Sequence, residues 1–387
     1  MKISNFLCGA AIAASLTIGC SLPAKADSNA LKNIPLFQIS SKGTGINTGA
    51  HGHAYDHARA GDHAPIGVMG DHMHGKGEWM LSYRYMHMTM RGNRDGTNSI
   101  DPLTIATTVA NPNPGPATFR VVPTDMTMEM HMLGGMYGIT DWLTAMAMVN
   151  YTHKEMDHVT YLNAAGTAVK GTFTTESEGF GDIKLSGMVK LYEDKTHNVH
   201  LNAGISIPTG TITESDEVLP PPAAAGMTRL RLPYSMQIGT GTFDALPGLT
   251  YTGTTQKWNW GAQYTAEIRL EDENSEGYAF GDKHSVTAWA GYDWTPWMNT
   301  SLRVIATTQD EISGSDSQIT APVQTADPDN YGGDVIDIAL GANFVVPKGQ
   351  LKNHRFAVEA ILPAYRDLNG PQLETDLTLI GGWQYAF

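Results

Sequence analysis

Asp376-Leu377-Thr378-Leu379-Ile380-Gly381-Gly382-Trp383-Gln384-Tyr385-Ala386-Phe387 decides the fold. Leu377, Leu379, Gly381, Trp383, Tyr385 and Phe387 fall on one side, and Asp376, Thr378, Gln384 and Ala386 on the other. Successive side chains of a strand point to opposite faces. The stretch therefore reads as a last strand with one face in lipid.

Period-two segments of the same kind recur back to about residue 76. Twelve are expected: 77–91, 124–138, 141–156, 178–192, 196–208, 236–252, 257–270, 281–294, 297–310, 333–346, 352–364 and 373–387. Trp258, Trp260, Ala262, Tyr264, Ala266 and Ile268 oppose Asn259, Gly261, Gln263, Thr265, Glu267 and Arg269. Val199, Leu201, Ala203, Ile205 and Ile207 oppose Asn198, His200, Asn202 and Ser206. Such segments are longer than the usual five or six residues of a sandwich strand. An even count with alternating long and short connections fits a membrane barrel whose tight turns, such as Thr140-Asp141, Asp194-Lys195, Thr295-Pro296 and Lys348-Gly349, face the periplasm. Trp142, Trp294, Trp297 and Trp383 lie beside such turns and suggest an aromatic girdle.

The other end agrees. Lys2, an apolar run from Phe6 to Gly19, and Ala24-Lys25-Ala26 form a secretory leader, with cleavage expected before Asp27. A lipoprotein reading of Cys20 meets Thr17-Ile18-Gly19 where a leucine-led box belongs. Cys8 and Cys20 both lie in the leader, so the mature chain offers no disulfide, thiolate ligand or cysteine nucleophile. The net charge of −14 becomes −16 when Lys2 and Lys25 leave, because residues 1–26 hold no acidic side chain; a basic surface for nucleic acid is excluded. Mean hydropathy is −0.23. After the leader no apolar run approaches the roughly 20 residues of a membrane helix, so a membrane chain of this kind must close as a barrel.

Two resemblances follow. The ending Gly382, Tyr385, Phe387 resembles the closing strand of bacterial outer-membrane barrels, whose C-terminal aromatic is read by the barrel-assembly machinery. Gly179-Phe180-Gly181-Asp182 and Ala203-Gly204-Ile205-Ser206-Ile207-Pro208-Thr209-Gly210 resemble the Gly-Leu-Gly-Asp and Pro-Thr-Gly signatures of an outer-membrane transporter family named for the MetA pathway of phenol degradation. Ala64 to His72 and Trp79 to Met86, with Gly382 to Phe387, resemble a widely distributed branch of it. The resemblance implies an outer-membrane barrel and, from the family's association with aromatic catabolism, a small aromatic or hydrophobic solute; it implies no catalytic residues.

Methionine is the compositional anomaly: of 19, fourteen fall between Met69 and Met156. Parity places Met80, Arg84, Met86, Met88 and Met90 opposite Trp79, Leu81, Tyr83 and Tyr85, and so in the lumen. Met146 and Met148 share a face with Asn150 and Thr152. Met126, Met128, Met130 and Met132 oppose both polar residues and Leu133 and Tyr137, and are placed inside because Glu129, about 27 Å from Tyr137, belongs near the rim. Thioethers suit Cu(I) or Ag(I). Ahead of the barrel, His51, His53, His57, His63, His72, Met73 and His74 form a candidate metal-binding cluster, expected exposed at the periplasmic mouth.

Arg84, Lys184, Asp244, Glu267, Arg269, Asp293, Arg303, Asp337, Arg355, Glu359 and Asp376 are expected inside, and their mixed signs suggest paired ladders. His284-Ser285 cannot pair as base and nucleophile, since neighbours on a strand diverge, and no enzyme is expected. The chain thus reads as a leader (1–26), a His-rich periplasmic arm or plug (27–76) and a transmembrane antiparallel β-barrel of about twelve strands (77–387), all-β. It is expected in the outer membrane, both termini periplasmic. The partners expected are outer-membrane lipid, the assembly machinery and a small solute. No resident cofactor is expected. Channel or transporter for that solute is the leading function, and handling or efflux of copper or silver ions is the alternative.

Overall fold

The computed structural model describes residues 55–162 and 165–387; the leader, His51 and His53 lie outside the described residues. Seventeen strands follow in chain order: β1 Trp79–Gly96, β2 Asn98–Ile100, β3 Val121–Thr140, β4 Leu143–Tyr161, β5 Val169–Phe180, β6 Ile183–Glu193, β7 His197–Ile207, β8 Ser215–Val218, β9 Thr228–Arg231, β10 Asp244–Thr254, β11 Trp258–Arg269, β12 Tyr278–Ala279, β13 Lys283–Thr295, β14 Met298–Gln309, β15 Ser313–Gly314, β16 Gly333–Val345 and β17 His354–Ala386. Among the described residues one short α-helix, α1, spans Pro102–Thr108, with Asp101 capping it through the Thr104 N–H.

The wall is a closed antiparallel sheet. Its order is β1-β3-β4-β6-β7-β10-β11-β13-β14-β16-β17, and β17 pairs back with β1. The last strand doubles on itself. Arg355 to Leu368 pair with β16, whereas Leu368 to Ala386 pair with β1. Gly370 reverses the chain at φ 67°, which glycine tolerates without a Cβ clash. The eleven-strand ring therefore crosses the wall twelve times when the two arms of β17 are counted apart. Closure pairs Trp79 with Phe387 through two backbone hydrogen bonds of 2.9 Å.

Large apolar side chains face outward: Leu133, Leu340 and Val358 are each more than half exposed. That outer face is the lipid-facing band of a transmembrane barrel. Trp142, Trp294 and Trp297 are also exposed, beside the short turns between β3 and β4 and between β13 and β14.

Three departures from the sequence reading have local causes. β5, expected as loop, pairs with the far half of β4 while β6 pairs with the near half, so one wall position is broken at Gly181-Asp182. Residues 236–243 are not strand. Tyr234–Met236 form a 3-10 turn, and Asp182 accepts from Gly210 and Thr240, bundling the loop against the break. Pro220 to Pro222 lie between β8 and β9, a hairpin in the same connection.

Long connections cover one end of the barrel. Val121, Tyr234, Tyr278, Ile312, Ile319, Val323 and Ala326 form a buried cluster there, with Phe173, Phe280 and Tyr331 against it. At the opposite, turn end, the chain entering β1 packs on β3: Gly77 N–H donates to Gly138 O at 2.8 Å, and a Cβ on Gly138 would lie 1.9 Å from Gly75 O. Because that atom is backbone, Gly138→Ala forces a main-chain shift and is expected to cost about 1–3 kcal/mol. Urea titration followed by heat-modifiable electrophoretic mobility checks this, and an unchanged midpoint refutes it.

Candidate functional site

The segment from Tyr55 to Gly77 occupies the turn end of the lumen. Polar side chains from around the wall hold its backbone. Arg84 donates to Ile66 O at 3.1 Å, His200 to Gly70 O at 2.8 Å, and Gln263 to Met69 O at 2.8 Å. Asn259 and Asn343 both donate to His63 O, at 3.3 and 3.2 Å, and Arg355 donates to Ala64 O. Glu359 accepts from Gly67 N–H at 2.8 Å while pairing bidentately with Arg303 at 2.8 and 2.9 Å. Arg59 reaches Asp293 at 3.0 Å. Apolar contacts complete the seat: Ile66 packs on Ala357 and Ile380, and Ala64 and Val68 on Trp289. Burying Ile66 alone stabilises the docked state by roughly 2 kcal/mol.

Within this plug the imidazoles converge. His63, His72 and His74 are buried, not exposed at the mouth, because the wall and Tyr55 enclose them. Tyr55 stacks on His72 with centroids 4.1 Å apart and its hydroxyl contacts His63 Nδ1 at 2.6 Å. The rings of His57 and His74 stack at 5.3 Å, and those of His72 and His74 meet edge-on at 4.9 Å. Asp71 accepts from His72 Nδ1 at 2.9 Å and from Ala64 N–H at 3.1 Å. Burial, and after it the neighbouring His72, pushes the His57 imidazole down to about 4. Burial likewise takes His63 and His74 well below the ordinary histidine value, which leaves all three neutral near pH 7. Met73 packs against the buried cluster of Met80, Met136, Met188 and Ala386, as Met146 does. The cluster adjoins a cavity of about 350 Å³.

Above the plug the methionines meet strand to strand. Met86 pairs with Met130, Met88 with Met128, and Met90 with Met126, while Met80 pairs with Met136. On the next strand Met156 pairs with Met126 and Met146 with Met136. Met86, Met88, Met90, Met126 and Met128 line a luminal cavity of about 540 Å³ with Met156, between plug and loops. Met132, opposite Arg84, and Met148, opposite Gly134, are buried lower down. Met130 sits 4.0 Å from Asn150 Nδ2. Met136 and Met156 were legible by parity, sharing faces with Met132 and Met148. Glu78 was not, because only the reversal through Gly75 and Gly77 turns it toward His74, 3.8 Å away.

Luminal charges are paired: Lys184 with Glu267 at 2.6 Å, Arg269 with Asp244, Arg366 with Asp337, and Arg303 with Glu359. Asp376 departs from expectation. A bulge opposite Thr89 and Met90 brings Thr375, not Asp376, into register with Met90 on the cavity side.

No family model and no curated protein matches the chain. Among solved structures, an outer-membrane channel from Pseudomonas putida F1 matches with a TM-score of 0.52 at 14% identity, over 83% of this chain and all of that one. A FadL homologue of Pseudomonas aeruginosa matches at TM-score 0.41 and 9% identity, over 80% of this chain and 90% of that one. The toluene transporter TodX of Pseudomonas putida matches at 0.39 and 10%, over 81% and 91%. The first of these bears on the fold. Wall, closure and topology together give this chain the closed-barrel fold of an outer-membrane channel, similar to the one from Pseudomonas putida F1.

Proposed function

We propose that the protein is an outer-membrane channel for a small, partly apolar solute, with its short turns in the periplasm. The observation that carries this reading is the luminal cavity of about 540 Å³, which joins the thioethers of Met86, Met88 and Met128 to Ile305, Ile361 and Leu373 and is also lined by the charged Lys154, Lys283, Asp337, Arg366 and Glu374. A thioether and aliphatic face set against polar and charged groups suits a compact organic solute with both an apolar body and a polar substituent. Flexible thioethers adapt to varied shapes and make favourable sulfur–aromatic contacts. Proteoliposomes carrying the protein should take up phenol or benzoate faster than protein-free vesicles; equal rates would remove this reading.

A second reading rests on the direct cross-strand pairing of Met86 with Met130 and Met88 with Met128. Paired soft sulfurs are a ligand set for Cu(I) or Ag(I). If the lumen passes such ions, replacing Met86, Met88, Met128 and Met130 together by Leu weakens Ag(I) binding at least tenfold while the barrel still folds, since each swap is nearly volume-conserving. Unchanged silver affinity in that variant ends the metal-transport reading.

A further inference from the structure

We propose that His57, His74 and Glu78, with His72 beside them, form a binding site for a divalent transition-metal ion of the zinc or copper(II) class inside the plug. One ligand atom from each of His57, His74 and Glu78 lies within 4.8 Å of the other two. Side-chain adjustments of about 1 Å bring atoms at that spacing onto a common ion, since Zn–N and Zn–O bonds of about 2.0–2.2 Å set ligands near 3.5 Å apart. Two neutral imidazoles and a carboxylate are borderline donors, suited to these ions rather than to calcium or magnesium.

The second observation is the set of polar atoms left without partners. His74 is 1% exposed, yet neither of its ring nitrogens has a hydrogen-bond partner; His57 Nδ1 and His72 Nε2 are likewise unpaired. Buried polar atoms are ordinarily satisfied, and each orphan costs about 1–3 kcal/mol. Unpaired nitrogens on both His57 and His74, the two imidazoles that already lie within ligand spacing of Glu78, are what a ligand set looks like before its ion is placed.

Asp71 supplies the supporting shell. By accepting from His72 Nδ1 at 2.9 Å it holds the tautomer whose Nε2 lone pair is free, the carboxylate–histidine arrangement common behind metal ligands. Thr144 accepts from the His74 N–H at 3.0 Å and so fixes that residue's backbone against β4. Entry is open: the adjoining cavity reaches Glu78, whose side chain is half exposed.

The placement has a structural consequence. His57 lies at the start of the docked segment, His74 at its end, and Glu78 at the root of β1. One ion bound to all three ties the plug to the barrel wall. This is independent of the solute, and its test measures binding rather than transport.

The full-length protein in detergent, stripped with a chelator, is titrated with Zn(II) and separately with Cu(II). About one ion per chain should bind, Cu(II) should show nitrogen hyperfine splitting in its electron paramagnetic resonance spectrum, and Zn(II) should slow tryptic cleavage at Lys76. His57→Ala and His74→Ala should each weaken binding at least tenfold, as should Glu78→Gln, whereas His284→Ala, on the outer wall beside Tyr264, should not. If His74→Ala fails to fold, His57→Ala and Glu78→Gln decide the question. Absence of stoichiometric binding overturns the site, and so does affinity unchanged in His57→Ala and Glu78→Gln, which would put the ion elsewhere.

Discussion

Deleting Tyr55 to Lys76 clears the turn end of the lumen, with single-channel conductance in planar bilayers rising several-fold. Eight strands leave a barrel interior just wide enough for side chains to fill, and diameter grows with strand number. A wall crossed twelve times leaves space that its own side chains do not close, and in this chain the plug fills the turn end of it. The deletion spares the wall because the groups that hold the plug, Arg84, His200, Gln263, Asn343 and Arg355, regain water as partners once the lumen floods. Heat-modifiable mobility should therefore remain that of a folded barrel while conductance changes. A deletion variant that folds and conducts like the full chain would show that the plug is not the barrier.

Arg303→Met is expected to be the most damaging single substitution in the lumen, costing about 3–5 kcal/mol. Arg303 and Glu359 are both buried, with side chains 6% and 0% exposed, and form two parallel hydrogen bonds. Removing the guanidinium strands a carboxylate that must still accept the Gly67 N–H of the plug. Relief comes from neutralising the survivor: Arg303→Met with Glu359→Gln keeps an acceptor for Gly67 and should recover most of the loss. Urea midpoints of the two variants and the parent, read by heat-modifiable mobility, make the comparison. If the single and double variants unfold together, the pair is not what stabilises the seat. Asp337 with Arg366 sits higher in the lumen against less protein, so breaking it should matter less.

The barrel was legible because the membrane imposes a rule on every crossing residue. Trp258 outward and Asn259 inward is a choice made by lipid on one side and a polar lumen on the other, and it repeats until the chain leaves the bilayer. Where lipid no longer acts, the rule lapses. β5 stands beyond the end of β7, its Glu176 and Glu178 are exposed, and its alternation carries no apolar face to read. Thr375 replaces Asp376 opposite Met90 for a related reason: one inserted residue reverses parity, and nothing in Leu373 to Leu377 announces it.

Sequence alone determined that this chain forms a closed β-wall, which side of most strands meets lipid, and that methionines gather on one luminal face. Each of these follows from residues near one another in the chain, acting under a period of two. Only the tertiary structure decided that Tyr55 to Gly77 docks inside, that His63, His72 and His74 are buried, and that Glu78 comes beside them. The partners that seat it, Arg84, His200, Asn259, Gln263, Arg303, Asn343, Arg355 and Glu359, come from six strands spread over most of the chain. They become neighbours only when the sheet closes, so no local pattern could have shown a polar segment trading water for that set of hydrogen bonds.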